Sequence, residues 1–305
     1  MTSFSAGILF ATLTGFCWAL LAIGLKYALQ FASTGTIVWI RMMVAFTLLF
    51  LIYFFRERQT LKKIFFKPPW QILLAGLFLA FNYFGYMKGL ELTTASNAQI
   101  MIQMGPLSLL FVGVIYFRET IRPIQWIGIG IASIGFILFY LDQMLIVFQN
   151  TDLYLTGNIW IFFAAITWTG FASLQKYQLV RGWTPQMVNL LIYGICCLAL
   201  FPSANLGELT PLSPWQWSVL FILGVNTLIA YGALGEALQR IPASYVSLII
   251  AVNPLLTIFA VGLIAHLGLT FINPEPIMWR GYLGAIMVVS GVAIAVSLKA
   301  KVKKT

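Results

Sequence analysis

Long runs of apolar residues follow one another along almost the whole of this 305-residue chain. A transmembrane α-helix needs about 20 consecutive apolar residues, whereas strands of a membrane β-barrel alternate apolar and polar residues over about 10 positions. The runs here are continuous and long, so they indicate helices. Only 9% of the residues are charged, against about 25% in a soluble domain, and so few charges cannot cover a water-exposed surface. The sequence therefore predicts an all-α integral membrane protein.

Ten segments have the length of transmembrane helices and are bounded by charged residues, prolines or glycines. The predicted helices 1 to 10 cover residues 6–26, 35–55, 70–89, 94–117, 121–141, 157–178, 184–200, 214–237, 243–266 and 279–298. Ten spans use about 200 residues, and the remaining loops and tails are too short to hold a soluble catalytic domain.

The basic residues are distributed very unequally between the two sides of these helices. Fourteen of the 18 Lys and Arg residues fall in the C-terminal tail and in alternate loops, and three, Lys26, Lys88 and Arg280, fall on the other side. Cytoplasmic loops carry an excess of Lys and Arg, so both termini are predicted to be cytoplasmic. The net charge of +10 thus reflects membrane orientation, and no nucleic-acid partner is expected.

The two halves of the chain repeat each other in order. Trp18 and Lys26 recur 150 residues later as Trp168 and Lys176. At a shift of 148 residues, Tyr83, Leu90, Ala95, Ser96 and Pro106 recur as Tyr231, Leu238, Ala243, Ser244 and Pro254. Five helices per half is an odd number, so the second half must enter the membrane from the opposite side. This predicts two inverted five-helix repeats, 1–142 and 157–298, joined by an external linker at 143–156 and followed by a basic cytoplasmic tail at 299–305.

At particular positions within these repeats, the sequence resembles the drug/metabolite transporter superfamily, specifically its EamA family. The resemblance rests on Trp18 with Lys26, on Arg41, on the junction at 89–95, on Pro106, on Arg118-Glu119 and on the pattern from Trp126 to Gly135. It departs after predicted helix 9, which ends at His266 without a following acidic residue that matches Glu119. The resemblance implies a multi-pass carrier of the plasma (cell inner) membrane for small metabolites, often an exporter, with a cavity lined mainly by helices 1, 3, 4, 6, 8 and 9.

Polar residues inside the apolar runs indicate where such a cavity lies, because polar atoms in hydrocarbon must find partners or line a water-filled space. On predicted helix 4, Ser96, Gln99, Gln103 and Pro106 are spaced by 3, 4 and 3 residues and share one face. We predict hinges at Pro106 and Pro254. The predicted substrate-binding residues are Trp18, Arg41, Asn82, Tyr83, Tyr86, Ser96, Gln99, Gln103, Trp168, Asn226, Tyr231, Ser247 and Asn253. The alternative is that these groups join neighbouring helices as packing contacts.

Arg41 is the one charge that the predicted spans place clearly within the membrane, and two interpretations of it stay open. It is either solvated or bound to helix-end carbonyls as a structural residue, or it receives a carboxylate or phosphate of the substrate. All eight acidic residues fall in loops or at helix ends. Because proton-driven carriers usually hold an ionisable group at membrane depth, facilitated diffusion or exchange is expected.

The sequence therefore predicts a secondary transporter of small amphipathic metabolites, amino acids or related compounds, acting in export by alternating access. An intramembrane enzyme or a non-transporting membrane scaffold is the alternative. With one His and no intramembrane acid, catalytic chemistry has little to use, so we expect no enzyme activity, cofactor or metal. The expected partners are the substrate and the lipid bilayer, with a homodimer through predicted helices 5 and 10 as an option. Cys17, Cys196 and Cys197 are expected to be reduced and buried.

Overall fold

The computed structural model describes residues 3–66, 68–119, 121–147, 152–266 and 278–296, and within these ranges its regular structure is helical. The α-helices are α1 Ser3–Ala28, α2 Thr34–Arg56, α3 Arg58–Phe66, α4 Trp70–Leu92, α5 Ala95–Met101, α6 Met104–Ile115, α7 Pro123–Val147, α8 Asp152–Val180, α9 Pro185–Leu200, α10 Pro214–Arg240, α11 Ala243–Ile250, α12 Asn253–His266 and α13 Trp279–Val296.

Eight helical segments of the described chain are long and apolar enough to cross a membrane. The all-α membrane class is therefore confirmed, while ten spans and two cytoplasmic termini stay predictions. The helices extend into the segment predicted as a linker, because α7 continues to Val147 and α8 begins at Asp152. Two helix starts show why the boundaries fall where they do. The Thr184 side chain caps α9, and Ser213 with Gln216 forms a capping box at the start of α10.

Predicted helices 4 and 9 are each broken in two, so the prediction of single continuous helices was wrong there. The first break separates α5 from α6 at residues 102–103, and the second separates α11 from α12 at residues 251–252. Each break precedes a proline, Pro106 or Pro254. Proline lacks an N–H and its ring clashes with the carbonyl four residues earlier, which is Ile102 or Ile250 here. Both interruptions lie beside the centre of the bundle.

The sequence prediction also missed α3, which lies between α2 and α4. This nine-residue helix is too short and too charged to be recognised as a span. It packs against α2 and α9, and among its described side chains Leu61 is buried. We call the end of the bundle at which α2 ends and α3 lies the α3 end, and the end at which α1 ends and α2 begins the opposite end.

At the opposite end, the α1–α2 loop and the start of α2 contact the α9–α10 loop. The Ser33 backbone N–H donates to Glu208 Oε2 at 2.8 Å, and the Asn205 N–H donates to Thr36 Oγ1 at 3.0 Å. Burial raises the pKa of Glu208, but hydrogen bonds from Ser33, Thr36 and Asn205 outweigh it, so this pKa lies below its usual value. The loop contact therefore persists at neutral pH and weakens as the pH falls through the pKa of Glu208 in the folded protein.

Small residues let the helices approach closely, and the largest helix contacts pair α7 with α13, α4 with α8, and α1 with α10. A Cβ atom added at Gly89 would lie 2.7 Å from the Gly157 carbonyl oxygen, and one added at Gly128 would lie 2.6 Å from the Gly291 carbonyl oxygen. The glycines of α7 and α13 thus face each other within one chain. A homodimer through these helices, which stays a prediction, would use their outward-facing residues.

We predict that Gly135→Ala lowers stability through this α7–α13 contact. The added Cβ would lie 2.7 Å from both the Gly284 carbonyl oxygen and the Val288 amide nitrogen, and overpacking costs about 1 to 3 kcal/mol. Gly130→Ala in the same helix is the matched control, because a Cβ there meets nothing within 4 Å. Thermal unfolding in detergent should show a lower midpoint for the first variant alone. Equal midpoints for the two variants would contradict the close contact.

Three cysteines lie inside the bundle. Cys17, Cys196 and Cys197 are free thiols, and their exposed fractions are 9%, 0% and 8%. The prediction of reduced, buried cysteines is therefore confirmed.

Candidate functional site

A central cavity lies between the helices, level with the two helix breaks. Its volume is about 70 Å³. Its lining residues are Trp18, Leu21, Arg41, Asn82, Tyr83, Tyr86, Gln99, Ile102, Gln103, Pro106, Trp168, Tyr231, Ile250 and Asn253. Ten of the thirteen predicted substrate-binding residues are in this set, together with Pro106. The structure thus brings most of the polar and indole side chains that the sequence singled out to one place.

Three predicted residues are not among the cavity lining. The Asn226 Nδ2 atom donates to the Cys17 carbonyl at 3.1 Å, so Asn226 joins α10 to α1. The Ser247 hydroxyl donates to the Ala243 carbonyl of its own helix at 2.8 Å. In the described structure these two side chains join backbone carbonyls outside the cavity lining, and their part in substrate binding stays a prediction. Ser96 lies in α5, but its side chain is outside the described part of the structure.

Sequence reasoning missed three apolar lining residues, Leu21, Ile102 and Ile250. In a chain that is 61% hydrophobic, an apolar residue carries no signal of its own. Their places could have been found from their polar neighbours, since Ile102 precedes Gln103 at the first helix break and Ile250 lies just before the second.

Aromatic rings from both halves of the chain meet at the cavity. The ring centroids of Trp18 and Trp168 are 5.8 Å apart with an interplanar angle of 79°, and those of Trp18 and Tyr231 are 5.3 Å apart. The rings of Tyr83 and Tyr231 are 5.7 Å apart. The first pair is edge-to-face and the other two are tilted, and aromatic pairs stabilise by about 0.5 to 1.5 kcal/mol beyond their burial. The cavity wall is therefore a cross-half aromatic cluster whose rings could also contact an apolar part of a ligand.

Arg41 points its charge into this region while it is only 3% exposed. Its Nε atom donates to the Thr227 hydroxyl at 3.2 Å, and its guanidinium carbon lies 4.6 Å from the centroid of the Tyr83 ring. Among the described residues, no carboxylate lies within 4.0 Å of it. The observed partners of Arg41 are thus a hydroxyl group and an aromatic face, and the choice between a structural and a substrate-binding Arg41 stays a prediction.

The cavity also holds buried oxygen atoms that the described residues leave without hydrogen-bond partners. They include the hydroxyls of Tyr83 and Tyr86, Gln103 Oε1 and Asn253 Oδ1. The neighbouring amides are in use, since Gln99 Nε2 donates to the Trp18 carbonyl at 3.0 Å and Asn253 Nδ2 donates to Gln99 Oε1 at 3.3 Å. An unpaired buried polar atom costs about 1 to 3 kcal/mol. The cavity can therefore receive a ligand that accepts from Arg41 and donates to these oxygens.

Two lysines bind backbone carbonyls at equivalent places near the two ends of the bundle. Lys26 Nζ in α1 donates to the carbonyls of Leu90 and Thr93 at 2.8 and 2.7 Å. Lys176 Nζ in α8 makes the same pair of bonds to Leu238 and Ile241, at 2.8 and 2.9 Å. The three positions in the second cluster follow from those in the first by the shifts of 150 and 148 residues seen in the sequence.

Lys176, like Arg41, is a buried charge of the described chain. We expected Lys176 near a cytoplasmic loop, but α8 continues to Val180 and leaves Lys176 only 8% exposed. The carbonyls that it binds are the ones that the end of α10 leaves without an intrahelical donor. An ammonium group is well placed there, because the C-terminal end of a helix carries partial negative charge.

Glu119 joins the end of α6 to the start of α11. Its Oε1 accepts from the Ala243 N–H at 2.7 Å and its Oε2 from the Ser244 N–H at 3.0 Å. Lys176 Nζ lies 4.0 Å from Glu119 Oε1, and the two side chains are about one-tenth exposed. A carboxylate is stabilised by the free N–H groups and positive partial charge of a helix start. We call Glu119, Lys176, Ala243 and Ser244 the Glu119 clamp, which joins the two halves at the α3 end.

Comparison with known proteins gives matches along most of the chain. The model of the EamA-like transporter family matches residues 5–141 and again residues 155–297. The inner membrane transporter YhbE of Escherichia coli K12, described as uncharacterized, is 35% identical over 289 residues, which are 93% of this chain and 89% of YhbE. An uncharacterized transporter of Haemophilus influenzae is 32% identical over 295 residues, which cover 95% of this chain and 94% of that protein.

A solved crystal structure, described only as that of a protein, has the same fold. It superposes with a TM-score of 0.72 at 15% sequence identity, and the match covers 98% of this chain and all of that one. At this identity the likeness concerns the fold alone.

Proposed function

The chain belongs to the EamA-like transporter family, and on that premise we propose that it is a secondary transporter of small amphipathic metabolites, amino acids or related compounds, that works by alternating access. Two conclusions follow directly from the family, the relatives and the eight apolar helices. The protein is a membrane transporter, and it is a multi-pass protein of the inner membrane.

The observation that carries the substrate proposal is a buried cation without a carboxylate partner in a cavity walled by indole rings. Arg41 offers charge-assisted hydrogen bonds to an anionic group, and Trp18 and Trp168 offer apolar surface to the rest of the molecule. Orphan oxygens on Tyr86, Gln103 and Asn253 can accept from donors such as an ammonium group. A small amphipathic compound with a carboxylate and a donor group can make all three kinds of contact: with Arg41, with the indole rings and with the orphan oxygens. A purely cationic compound is repelled by Arg41.

Alternating access is supported by the size of the cavity and by the helix breaks. Binding sites for small organic ligands usually measure about 300 to 1,000 Å³, far more than the 70 Å³ present here. A substrate must therefore enter another conformation in which this space is wider. The breaks at residues 102–103 and 251–252 give the two proline-containing segments a place to bend, and they adjoin the cavity on both halves.

The two ends of the bundle hold these broken segments differently. At the α3 end the Glu119 carboxylate binds the two N–H groups that open α11. At the start of α5, the equivalent helix, the described residues supply the Thr94 hydroxyl, which accepts from the Asn97 N–H at 3.2 Å. We infer that the Glu119 clamp is the gate of the α3 end and that opening this gate requires these bonds to break.

Glu119→Gln is expected to open this gate more often. Gln keeps one oxygen that can accept, but its amide nitrogen only donates, and a charge-assisted hydrogen bond contributes about 1 kcal/mol more than a neutral one. A loss of about 2 kcal/mol over the two N–H groups favours the open form by roughly 30-fold. A cysteine introduced at Ile102 would report the change through its rate of labelling by a charged reagent added at the α3 end. The control is Glu57→Gln, which removes an exposed acid from the same end. Unchanged labelling in Glu119→Gln would remove the gate from the proposal.

The coupling and direction of transport are part of the proposal. We propose export by facilitated diffusion or exchange, since the acidic residues fall in loops or at helix ends and Glu119 is engaged at a helix end by two N–H groups. A steep response of proteoliposome uptake to an imposed pH gradient would contradict this. Protection of cells by overexpression, across a panel of toxic amino acids and metabolites, is expected for an exporter and absent for an importer.

Counterflow in proteoliposomes tests the function as a whole. Vesicles preloaded with an unlabelled substrate should transiently accumulate the labelled form, and the rate should saturate with concentration. A carrier does this because its site alternates between the two sides, whereas an enzyme, a scaffold or an open pore does not. Failure of counterflow across carboxylate-containing amphipathic compounds would overturn the proposed substrate class.

A further inference from the structure

The short helix α3 carries features that transport by the central cavity does not explain. It follows α2 after a single residue, Glu57, whose backbone (φ −144°, ψ 55°) ends α2 and redirects the chain. Nine residues in α-helix span about 14 Å, less than half of the roughly 30 Å of a bilayer core. Because α3 begins directly after the end of α2 and is too short to span the bilayer, we place it at the membrane boundary.

One stripe of α3 faces apolar surroundings. Leu61 is 8% exposed and belongs to the main hydrophobic core. Phe65, one helical turn later, is 46% exposed, and Phe66 is 80% exposed. Trp70 follows at the start of α4 and is 65% exposed. Tryptophan and phenylalanine side chains at this position are typical of the interface between hydrocarbon and headgroups, so the surface beside the helix is lipid.

The same segment is strongly basic. Residues 56–67 contain five basic residues and one acid, Glu57; the basic residues are Arg56, Arg58, Lys62, Lys63 and Lys67. Arg58 stacks its guanidinium 4.4 Å from the centroid of the Phe54 ring and donates from Nε to the Phe54 carbonyl. Within the described residues, no carboxylate lies within 4.0 Å of Arg56 or Arg58. The charges of Arg56 and Arg58 are therefore not neutralised by a carboxylate of the described residues.

We propose that α3 is a binding surface for the headgroups of anionic phospholipids. A basic segment beside exposed aromatic residues attracts anionic lipid because the rings enter the headgroup boundary while the cations meet the phosphates. The lipid holds α3 against the bundle, and α3 is continuous with α2, the helix that carries Arg41. This surface is independent of the substrate cavity and of the direction of transport.

The test measures lipid retention by the full-length protein without any substrate. The protein is reconstituted in mixed phosphatidylcholine and phosphatidylglycerol, extracted into mild detergent, and analysed for bound lipid by native mass spectrometry. The test variant is Arg58→Gln/Lys62→Gln/Lys63→Gln. The matched control is Lys299→Gln/Lys301→Gln/Lys303→Gln. It removes the same number of positive charges from the C-terminal tail, which is predicted to lie on the same side of the membrane as α3.

The wild type and the tail variant should retain phosphatidylglycerol over phosphatidylcholine, and the α3 variant should lose this preference by about fivefold for each basic residue removed. Phe66→Ser should weaken retention of both lipids alike. Glycerol phosphate in solution should not displace the lipid, because it lacks the acyl chains that the aromatic residues contact. Single variants such as Lys62→Gln replace the triple variant if its thermal midpoint falls.

Equal lipid preference in the wild type and the α3 variant would overturn the proposal. So would an equal loss in the tail variant, which would indicate general attraction to positive charge, or displacement by glycerol phosphate, which would indicate a free-phosphate site. Because no transport is measured, none of these outcomes bears on the proposed carrier function, and failure of counterflow leaves this surface intact.

Discussion

Replacing Arg41 with Gln should lower transport of a carboxylate substrate by about 100-fold while the amount of folded protein stays near that of the wild type. Two charge-assisted hydrogen bonds to a buried carboxylate account for a loss of this size. Folding should be little affected, because no carboxylate of the described residues pairs with Arg41 and Gln can still donate to the Thr227 hydroxyl. Initial rates in proteoliposomes, normalised to folded protein, measure the effect.

Two further variants separate the role of Arg41 from a general loss of charge. Arg280→Gln removes an exposed cation and should transport normally. Arg41→Lys keeps the charge but lacks the planar pair of donors, so its rate should fall between those of the wild type and Arg41→Gln. If the yield of folded Arg41→Gln fell in proportion to its transport, Arg41 would be a structural residue and the carboxylate class would be withdrawn.

Replacing Lys176 with Met should lower the free energy of unfolding by about 3 kcal/mol. The change leaves the Leu238 and Ile241 carbonyls without their donor and leaves the Glu119 carboxylate buried beside no cation. Lys88→Met is the matched control, since Lys88 pairs with Glu91 at 2.9 Å where both side chains are more than a third exposed, and such pairs contribute about 1 kcal/mol or less. Reversible unfolding in mixed micelles measures both.

The double variant Lys176→Met/Glu119→Leu shows which part of the loss comes from the stranded carboxylate. Removing both charges of a buried pair costs less than removing one. The double variant should therefore lose less free energy of unfolding than the sum of the losses in the two single variants. Strict additivity would mean that the 4.0 Å separation of the two groups carries no coupling. Lys26→Met should show a similar loss at the equivalent cluster, because its two carbonyl bonds have the same geometry.

The helices and most of the cavity could be predicted because each depends on a local property of the sequence. An apolar run of membrane length specifies a span whatever its neighbours are, and a polar residue within such a run must be satisfied somewhere near the centre of the bundle. Arg41, Gln103 and Asn253 were found in this way. Asn226 and Ser247 met the same requirement by donating to backbone carbonyls. From the sequence alone, a polar side chain bonded in this way looks the same as one that lines a cavity.

Other features depend on partners far away in the sequence and could not be predicted. Lys176 stays buried because carbonyls 62 and 65 residues later reach it, and Glu119 is held by N–H groups more than 120 residues away. The prolines at 106 and 254 indicated bends, but complete breaks into separate helices depend on how the surrounding helices pack. The helix α3 is shorter than any window that detects a span.

The buried thiols make the unmodified chain a ready background for site-directed labelling. Cys17, Cys196 and Cys197 are each less than one-tenth exposed, so a charged maleimide should react with them slowly and a single cysteine added at the surface should dominate the signal. One such residue in the basic tail and another beside Glu208 would report, from intact cells and from inverted vesicles, which side of the membrane each occupies. The orientation of the protein can thus be measured without first building and validating a cysteine-free variant.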